Sequence, residues 1–340
     1  MQSFIDVQKR ILPDLLQIMQ KRYSILQYIN LMQPVGRRSL SVSLGLTERV
    51  LRSEVEFLKD QNLILISSHG MSMTDEGKDI LESLDRIMRD LTGIDVLEQQ
   101  LQKQLGIKQA IVVPGDSDES DTVKSELGRA GASCMKDFLT GKNIIAVTGG
   151  STMAAIAQML PPAFKEKDLM FVPARGGIGQ DVKNQANTIC AIMADKTASK
   201  HQVLYVPDQV SPEIYESFLK EPLIHEVLTQ IKSASMVLHG IGDAKAMAER
   251  RNTRGQDMEK IIEGKAVGEA FGYYFNEAGE VVHKVLTIGL QLSDLTEIDN
   301  VIAVAGGSTK AKAIRAYMKS APDSTVLITD EGAAKLLVQG

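Results

Sequence analysis

The chain has 340 residues, of which 44% are hydrophobic and only 4% aromatic, with no Trp, 15 Met and a formal net charge of −5. That length accommodates two or three domains with aliphatic cores. No stretch approaches the roughly 18 uncharged apolar residues of a membrane span, and the start MQSFIDVQKR lacks the basic region and apolar run of a secretory signal, so a soluble cytoplasmic protein is expected.

The charge is unevenly placed. Residues 1–75 hold 9 Lys+Arg against 7 Asp+Glu, a net of +2, and the remainder holds 29 against 36, a net of −7. A split of this sign suits a small DNA-binding head on an acidic body. From Lys21, Ile25, Leu26, Ile29 and Leu31 mark a first helix closed by Pro34 and Gly36, and a second, short helix runs from Arg37 to Leu44. Gly45 then turns the chain, and Thr47 is placed to cap a third helix through its hydroxyl. Two short helices joined by a glycine-containing turn of about four residues describe a helix-turn-helix.

On the third helix Leu51, Val55 and Leu58 recur at helical spacing and are expected inside. Arg49, Arg52, Ser53 and Glu56 then face outward, where arginines reach guanine edges in a major groove. Arg37, Arg38, Lys21 and Arg22 are expected on backbone phosphates. After Asn62, LILIS, a turn at residues 68–70 and MSMT alternate as a hairpin, which makes the unit a winged helix, before TDEG restarts a helix. The competing reading of this region is a three-helix interaction module with a solvated charged face.

Residues 77–106 read as a linker helix between a head at 1–76 and a body at 107–340. Ile80, Leu84, Ile87, Leu91, Ile94, Leu97, Leu101 and Leu105 step by three or four, with Gly93 interrupting. Such a stripe either pairs with a second chain or packs on its own body. Within the body, strand candidates at 110–113, 144–147, 169–173, 203–207, 236–240, 301–304 and 325–329 alternate with helical stretches. That pattern gives an α/β, doubly wound parallel sheet, whose ligands sit at the carboxyl ends of the strands. FGYYF, a turn at 277–279 and VVHKV read as an inserted hairpin. Cys134 and Cys190 read as small buried hydrophobes rather than metal ligands, and no metal site is expected.

One motif occurs twice. Residues 143–154 read NIIAVTGGSTMA and residues 300–311 read NVIAVAGGSTKA, identical at nine of twelve positions. Each is a buried strand, a glycine turn and a hydroxyl-bearing helix start, an arrangement that presents backbone NH groups and a positive dipole end to an anion such as phosphate. Gly149, Gly150, Ser151 and Thr152 form the first copy, and Lys310 adds a cation to the second. Arg175, among the glycines of ARGGIGQD, is placed to grip phosphate, and Glu269 to accept from sugar hydroxyls. Neither GxGxxG nor GxxxxGK[ST] is completed, which excludes nicotinamide and nucleoside triphosphate sites. His239 and His283 read as structural, and no pair of groups is spaced convincingly for acid and base work; no cofactor is expected.

With the winged helix, the linker, TGGST, HGIG, AGGSTK, VPARGGIGQDVKNQANTICA and SASMVLHGIGDAKAMAERRNT in place, the chain resembles the SorC family of bacterial transcriptional regulators over essentially its whole length. The resemblance implies a repressor of glycolytic genes whose effector domain is similar to sugar-phosphate isomerases and deaminases but acts as a sensor and not as an enzyme. It further implies fructose 1,6-bisphosphate as inducer, and dimers that form tetramers on a double-stranded operator. Residue by residue, it implies that Gly149, Gly150, Ser151 and Thr152 hold one phosphate with Lys310. Arg175, Gln185 and Arg250 then serve the other end, and Glu269 the sugar hydroxyls. The rival readings are an isomerase or deaminase with an accessory head, and an assembly module without a small ligand.

Overall fold

The computed structural model describes residues 11, 13–161, 164–165, 167–177 and 181–339. The described chain divides into two compact units, one up to Asp95 and one from Val96.

The first unit opens with helix α1, Pro13–Met32, followed by α2, Arg37–Ser43, and α3, Glu48–Asp60. The Thr47 hydroxyl accepts from the backbone NH of Val50 at 3.3 Å and so caps α3 as its sequence position predicts. Leu51, Val55 and Leu58 are no more than 1% exposed and share the core with Ile25, Leu26, Ile29 and Leu40. Strands β1, Ile64–Ser67, and β2, Gly70–Met73, pair antiparallel. This wing is fastened to the segment before α2 by two backbone bonds between Val35 and Met71, of 3.0 and 2.8 Å. The unit is the expected winged helix.

Helix α4, Asp75–Thr92, starts at Thr74, whose hydroxyl accepts from Gly77, and stops where Gly93 adopts a left-handed φ of 69°. Helix α5 resumes at Ile94 and runs to Leu105. The periodic stripe is therefore divided. Leu91, Ile94 and Leu101 are buried, whereas Ile80 and Ile87 are 41% and 48% exposed.

The second unit is built on a parallel sheet, seven-stranded among the described residues, in the order β3-β13-β12-β7-β4-β5-β6. The strands are β3 (Gln109–Val113), β4 (Lys142–Val147), β5 (Asp168–Pro173), β6 (Lys200–His201), β7 (Met236–Gly240), β12 (Asn300–Val304) and β13 (Thr325–Asp330). Six of the seven expected strands are present. The exception is 203–207: the edge strand β6 ends at His201, and the Asn187 side chain takes both the NH and the C=O of Leu204, at 3.0 and 3.1 Å. The chain then pairs with the turn after β5, through Gly177 to Val206 (3.0 Å) and Asp208 to Gly177 (2.8 Å), and leaves Tyr205 84% exposed.

From β4 the chain proceeds outward through β5 to β6, then returns to lay β7 on the other side of β4. The switch point of this doubly wound sheet lies between β4 and β7, where adjacent loops diverge and leave a crevice. A second, antiparallel sheet, in the order β11-β10-β9-β8, stands beside it. Its strands are β8 (Gly242–Asp243), β9 (Ala266–Ala270), β10 (Tyr273–Asn276) and β11 (Val281–Lys284). The expected hairpin is β10 and β11; β9 and β8 extend it and place Glu269 opposite Gly242. Cys134 and Cys190 are buried as expected, and burial pushes the Cys134 thiol up to about 12.

Candidate functional site

A cavity opens at the carboxyl ends of β4 and β7. All nine residues proposed from the sequence for the effector line it: Gly149, Gly150, Ser151, Thr152, Arg175, Gln185, Arg250, Glu269 and Lys310. They arrive from five separate segments. The sheet order brings together the loop after β4, the loop after β5, the end of the helix that follows β8, strand β9 and the turn after β12.

The first glycine turn leads into helix α6, Ser151–Gln158, whose N-cap is Gly150 at φ 125° and ψ 158°. Only glycine adopts that conformation without strain. Having no side chain, Gly150 cannot cap the helix, and Ser151 and Thr152 are its first helical residues rather than its caps. The leading NH groups of such a helix have no intrahelical acceptor. Gly150 itself donates to Asn184 C=O at 2.9 Å. Gly149 is closely fitted, because a Cβ there would lie 2.6 Å from the Asn184 carbonyl oxygen.

The second turn has the same sequence and a different fate. Its NH groups already face carboxylates of the chain: Gly307 donates to Asp330 at 2.6 Å, Ser308 to Asp116 at 3.3 Å and Thr309 to Asp118 at 2.8 Å. The Thr309 hydroxyl donates to the same Asp118 oxygen at 2.8 Å. Both turns were expected to receive anions from outside. In the second, the seat is filled by the loop after β3 and the end of β13, the strand beside β12. Lys310 nevertheless reaches the cavity that the first turn bounds. Burial lowers the pKa of its ammonium although Asp118, Asp330 and Asp243 favour the charge, and an anion in the cavity would restore it.

Arg175 does not stand free among glycines. It is 5% exposed, its Nε donates to Asp208 at 2.6 Å, and its Nη1 donates to Glu269 at 3.4 Å. Arg251 closes a ring, through Nε to Asp208 (2.9 Å), Nη2 to Glu269 (2.9 Å) and Nη1 to the Tyr274 hydroxyl (3.0 Å). The four charges sum to zero. Burial works against the charge on Glu269, but Arg251 and Arg175 outweigh it and hold the carboxyl below its ordinary range. Asp208 and Arg251 were not foreseen. Asp208 lies just past the segment expected as a strand, and Arg251 is the second half of an Arg-Arg pair whose first half, Arg250, is exposed and lines the cavity. Among the described residues neither Arg250 nor Lys310 forms an ion pair, so the charge free to meet an anion is theirs.

His239 is fully buried, bonded to the Tyr317 hydroxyl at 3.1 Å and to Gly240 C=O at 3.1 Å, as a structural histidine should be. His283 lies 3.8 Å from Asp257, on the strand β11. Ile178, Gly179 and Gln180 of ARGGIGQD lie outside the described residues.

In the first unit Arg37, Arg38, Arg49, Arg52 and Ser53 are all exposed, as is the capping Thr47. Arg52 is steered by Glu56, 3.0 Å away on the same helix. Lys21 and Arg22, expected on phosphates, instead meet Glu54 at 3.3 and 2.8 Å, and Arg22 lies over the Phe57 ring. Burial would raise the Glu54 pKa, but these two cations outweigh it and lower it. Arg52→Ala is expected to weaken operator binding by about 1–3 kcal/mol if the side chain reads a base edge. Binding titrations at several salt concentrations check this: a base reader loses sequence discrimination, and a phosphate contact loses salt slope.

Two family models match consecutive parts of the chain. Residues 18–88 match the CggR N-terminal DNA binding domain, and residues 89–339 match the Sugar-bind family of sugar-binding domains. The chain is 59% identical over 340 residues to the central glycolytic genes regulator of Priestia megaterium, covering 100% of this chain and 99% of that protein. It is 57% identical over 339 residues to the protein of the same name in Bacillus subtilis, again covering 100% and 99%. A SorC family transcriptional regulator from Enterococcus faecalis has a crystal structure that superposes with a TM-score of 0.67 at 49% identity, over 71% of this chain and 99% of that one.

Proposed function

The chain belongs to the SorC family of transcriptional regulators, with a DNA-binding winged helix and a sugar-binding domain, and from that premise we propose that it represses glycolytic genes under control of fructose 1,6-bisphosphate. The names of its two relatives support the choice of genes. The observation that carries the choice of ligand class is the cavity at the switch point. It joins an uncapped helix start to the exposed Arg250, the half-buried Lys310 and a buried carboxylate for hydroxyls.

One phosphate sits on the turn Gly149–Thr152 beside Lys310, and the other is met by Arg250 with Gln185 and Arg175. The body senses rather than catalyses: Glu269 is fixed by two arginines, and His239 is tied into the core. No group of His, Cys, Asp and Glu among the described residues is arranged for a metal, and no described helix is long and apolar enough to cross a membrane.

The sugar bisphosphate acts by preferring one arrangement of paired subunits, since a ligand with equal affinity for both would change nothing. The chain works as a homo-oligomer, a dimer that forms a tetramer on the operator. Operator binding by the full chain is expected to respond to fructose 1,6-bisphosphate. Gly149→Ala, whose methyl collides with the Asn184 carbonyl, is expected to bind the operator normally and lose the response. A variant that responds at wild-type concentrations overturns this assignment, and turnover of a ketose or amino-sugar phosphate favours the enzyme instead.

A further inference from the structure

The ring of buried charges divides into two halves. Arg175 and Glu269 line the cavity, whereas Asp208 and Arg251 do not. The Glu269 carboxylate is itself divided. Its Oε1 receives three donors, Gly272 NH at 2.6 Å, Arg251 Nη2 at 2.9 Å and Arg175 Nη1 at 3.4 Å. Its Oε2 accepts no hydrogen bond among the described residues. It lies on the side of Gly242, where a Cβ would come within 3.6 Å of it, and Gly242 is itself part of the cavity wall. On the far side of the ring, Asp208 Oδ1 meets the Arg175 guanidinium at both Nε, 2.6 Å, and Nη2, 2.5 Å.

Three fixed donors on one oxygen leave the carboxylate a single orientation. We propose that Arg251 and Asp208 are positioning residues for effector recognition: they hold Glu269 and Arg175 so that Oε2 of Glu269 accepts a hydroxyl of the sugar. This inference rests on the sugar-phosphate reading of the cavity and deepens it. Phosphate is seated chiefly by the glycine turn, Lys310 and Arg250, which supply charge, while Arg175, its charge already offset by Asp208 and Glu269, adds a directed donor that the double variant below retains. The ring, with no net charge, supplies discrimination between a sugar and a bare phosphate. A carboxylate oxygen repels phosphate and welcomes a hydroxyl donor, so this part of the wall selects against anions lacking a polyol.

The test uses the full chain with Arg251→Met and Asp208→Asn combined, which removes one positive and one negative charge and leaves the pair Arg175–Glu269. Calorimetric titration with fructose 1,6-bisphosphate and with inorganic phosphate separates the two kinds of recognition. The sugar bisphosphate is expected to bind about tenfold more weakly, the loss of one charge-assisted hydrogen bond, while inorganic phosphate binds as to wild type. If the double variant does not fold, Arg251→Lys carries the same test, because an ammonium keeps the charge but not the planar fork that joins Asp208, Glu269 and Tyr274. Unchanged affinity for the sugar bisphosphate in a folded variant overturns the ring's role, as does an equal loss for both ligands. A wild-type chain that binds neither ligand overturns the cavity reading along with it.

Discussion

Arg251→Met alone is expected to lower the unfolding free energy of the chain by about 3–5 kcal/mol, the cost of removing one partner from a buried, hydrogen-bonded ion cluster. The arginine side chain is 1% exposed and makes bonds to Asp208, Glu269 and Tyr274. Without it, two carboxylates share the single cation Arg175, and the Tyr274 hydroxyl loses a donor. The neighbouring Arg250 provides the control. It is exposed, and its Nη1 approaches the Met247 sulfur at 3.8 Å. Arg250→Met is therefore expected to change stability by no more than about 0.5 kcal/mol while weakening the effector. Urea unfolding followed by circular dichroism checks both variants, the chain having no Trp. Similar stabilities for the two would mean that the ring contributes little.

The second large effect is a loss of stability in mild acid traceable to His239. Burial pushes its pKa down to about 4 from an ordinary 6.5, against the opposing pull of the Gly240 carbonyl and the Glu269 charge. As pH falls below 6.5 the unfolded chain takes up a proton that the native imidazole refuses, so native stability declines until pH reaches about 4. From neutral pH to about pH 5 this amounts to about 2 kcal/mol. His283 is lowered by burial too and adds a loss of the same sign. Comparing wild type with His239→Gln isolates the first contribution. The variant is expected to show a shallower decline over that interval, and an identical slope would remove His239 from the account.

The sequence made the local chemistry of the first glycine turn legible because everything needed lies within ten residues: an apolar strand, two glycines and a helix start. The winged helix was legible for the same reason, since the Thr47 cap and the spacing of Leu51, Val55 and Leu58 are local patterns. The second glycine turn shows where such reasoning ends. Its sequence equals the first, yet its donors are taken by Asp116, Asp118 and Asp330. Which carboxylates meet it depends on β13 lying beside β12, a fact of sheet order rather than of motif.

The same holds for the charge ring. The segment 203–207 alternates like a strand, but Asn187 and the turn at Gly177 claim its backbone and carry Asp208 inward to Arg175. The two arginines at 250 and 251 carry the same side chain one residue apart. Only the end of a seven-residue helix, Ala244–Arg250, decides that one faces the cavity and the next the interior. Arg175 lines the cavity, but its surroundings were not legible, because a lone arginine among glycines gives no sign of carboxylates 33 and 94 residues away.

The most direct test is a crystal structure of the full chain with fructose 1,6-bisphosphate, read for the positions of its two phosphorus atoms. The account predicts one phosphate within hydrogen-bonding reach of the backbone NH groups of Ser151 and Thr152, with Asp118 still seated on Thr309. A sugar bisphosphate bound elsewhere while the first turn stays vacant, or one that displaces Asp118 from the second turn, would contradict it.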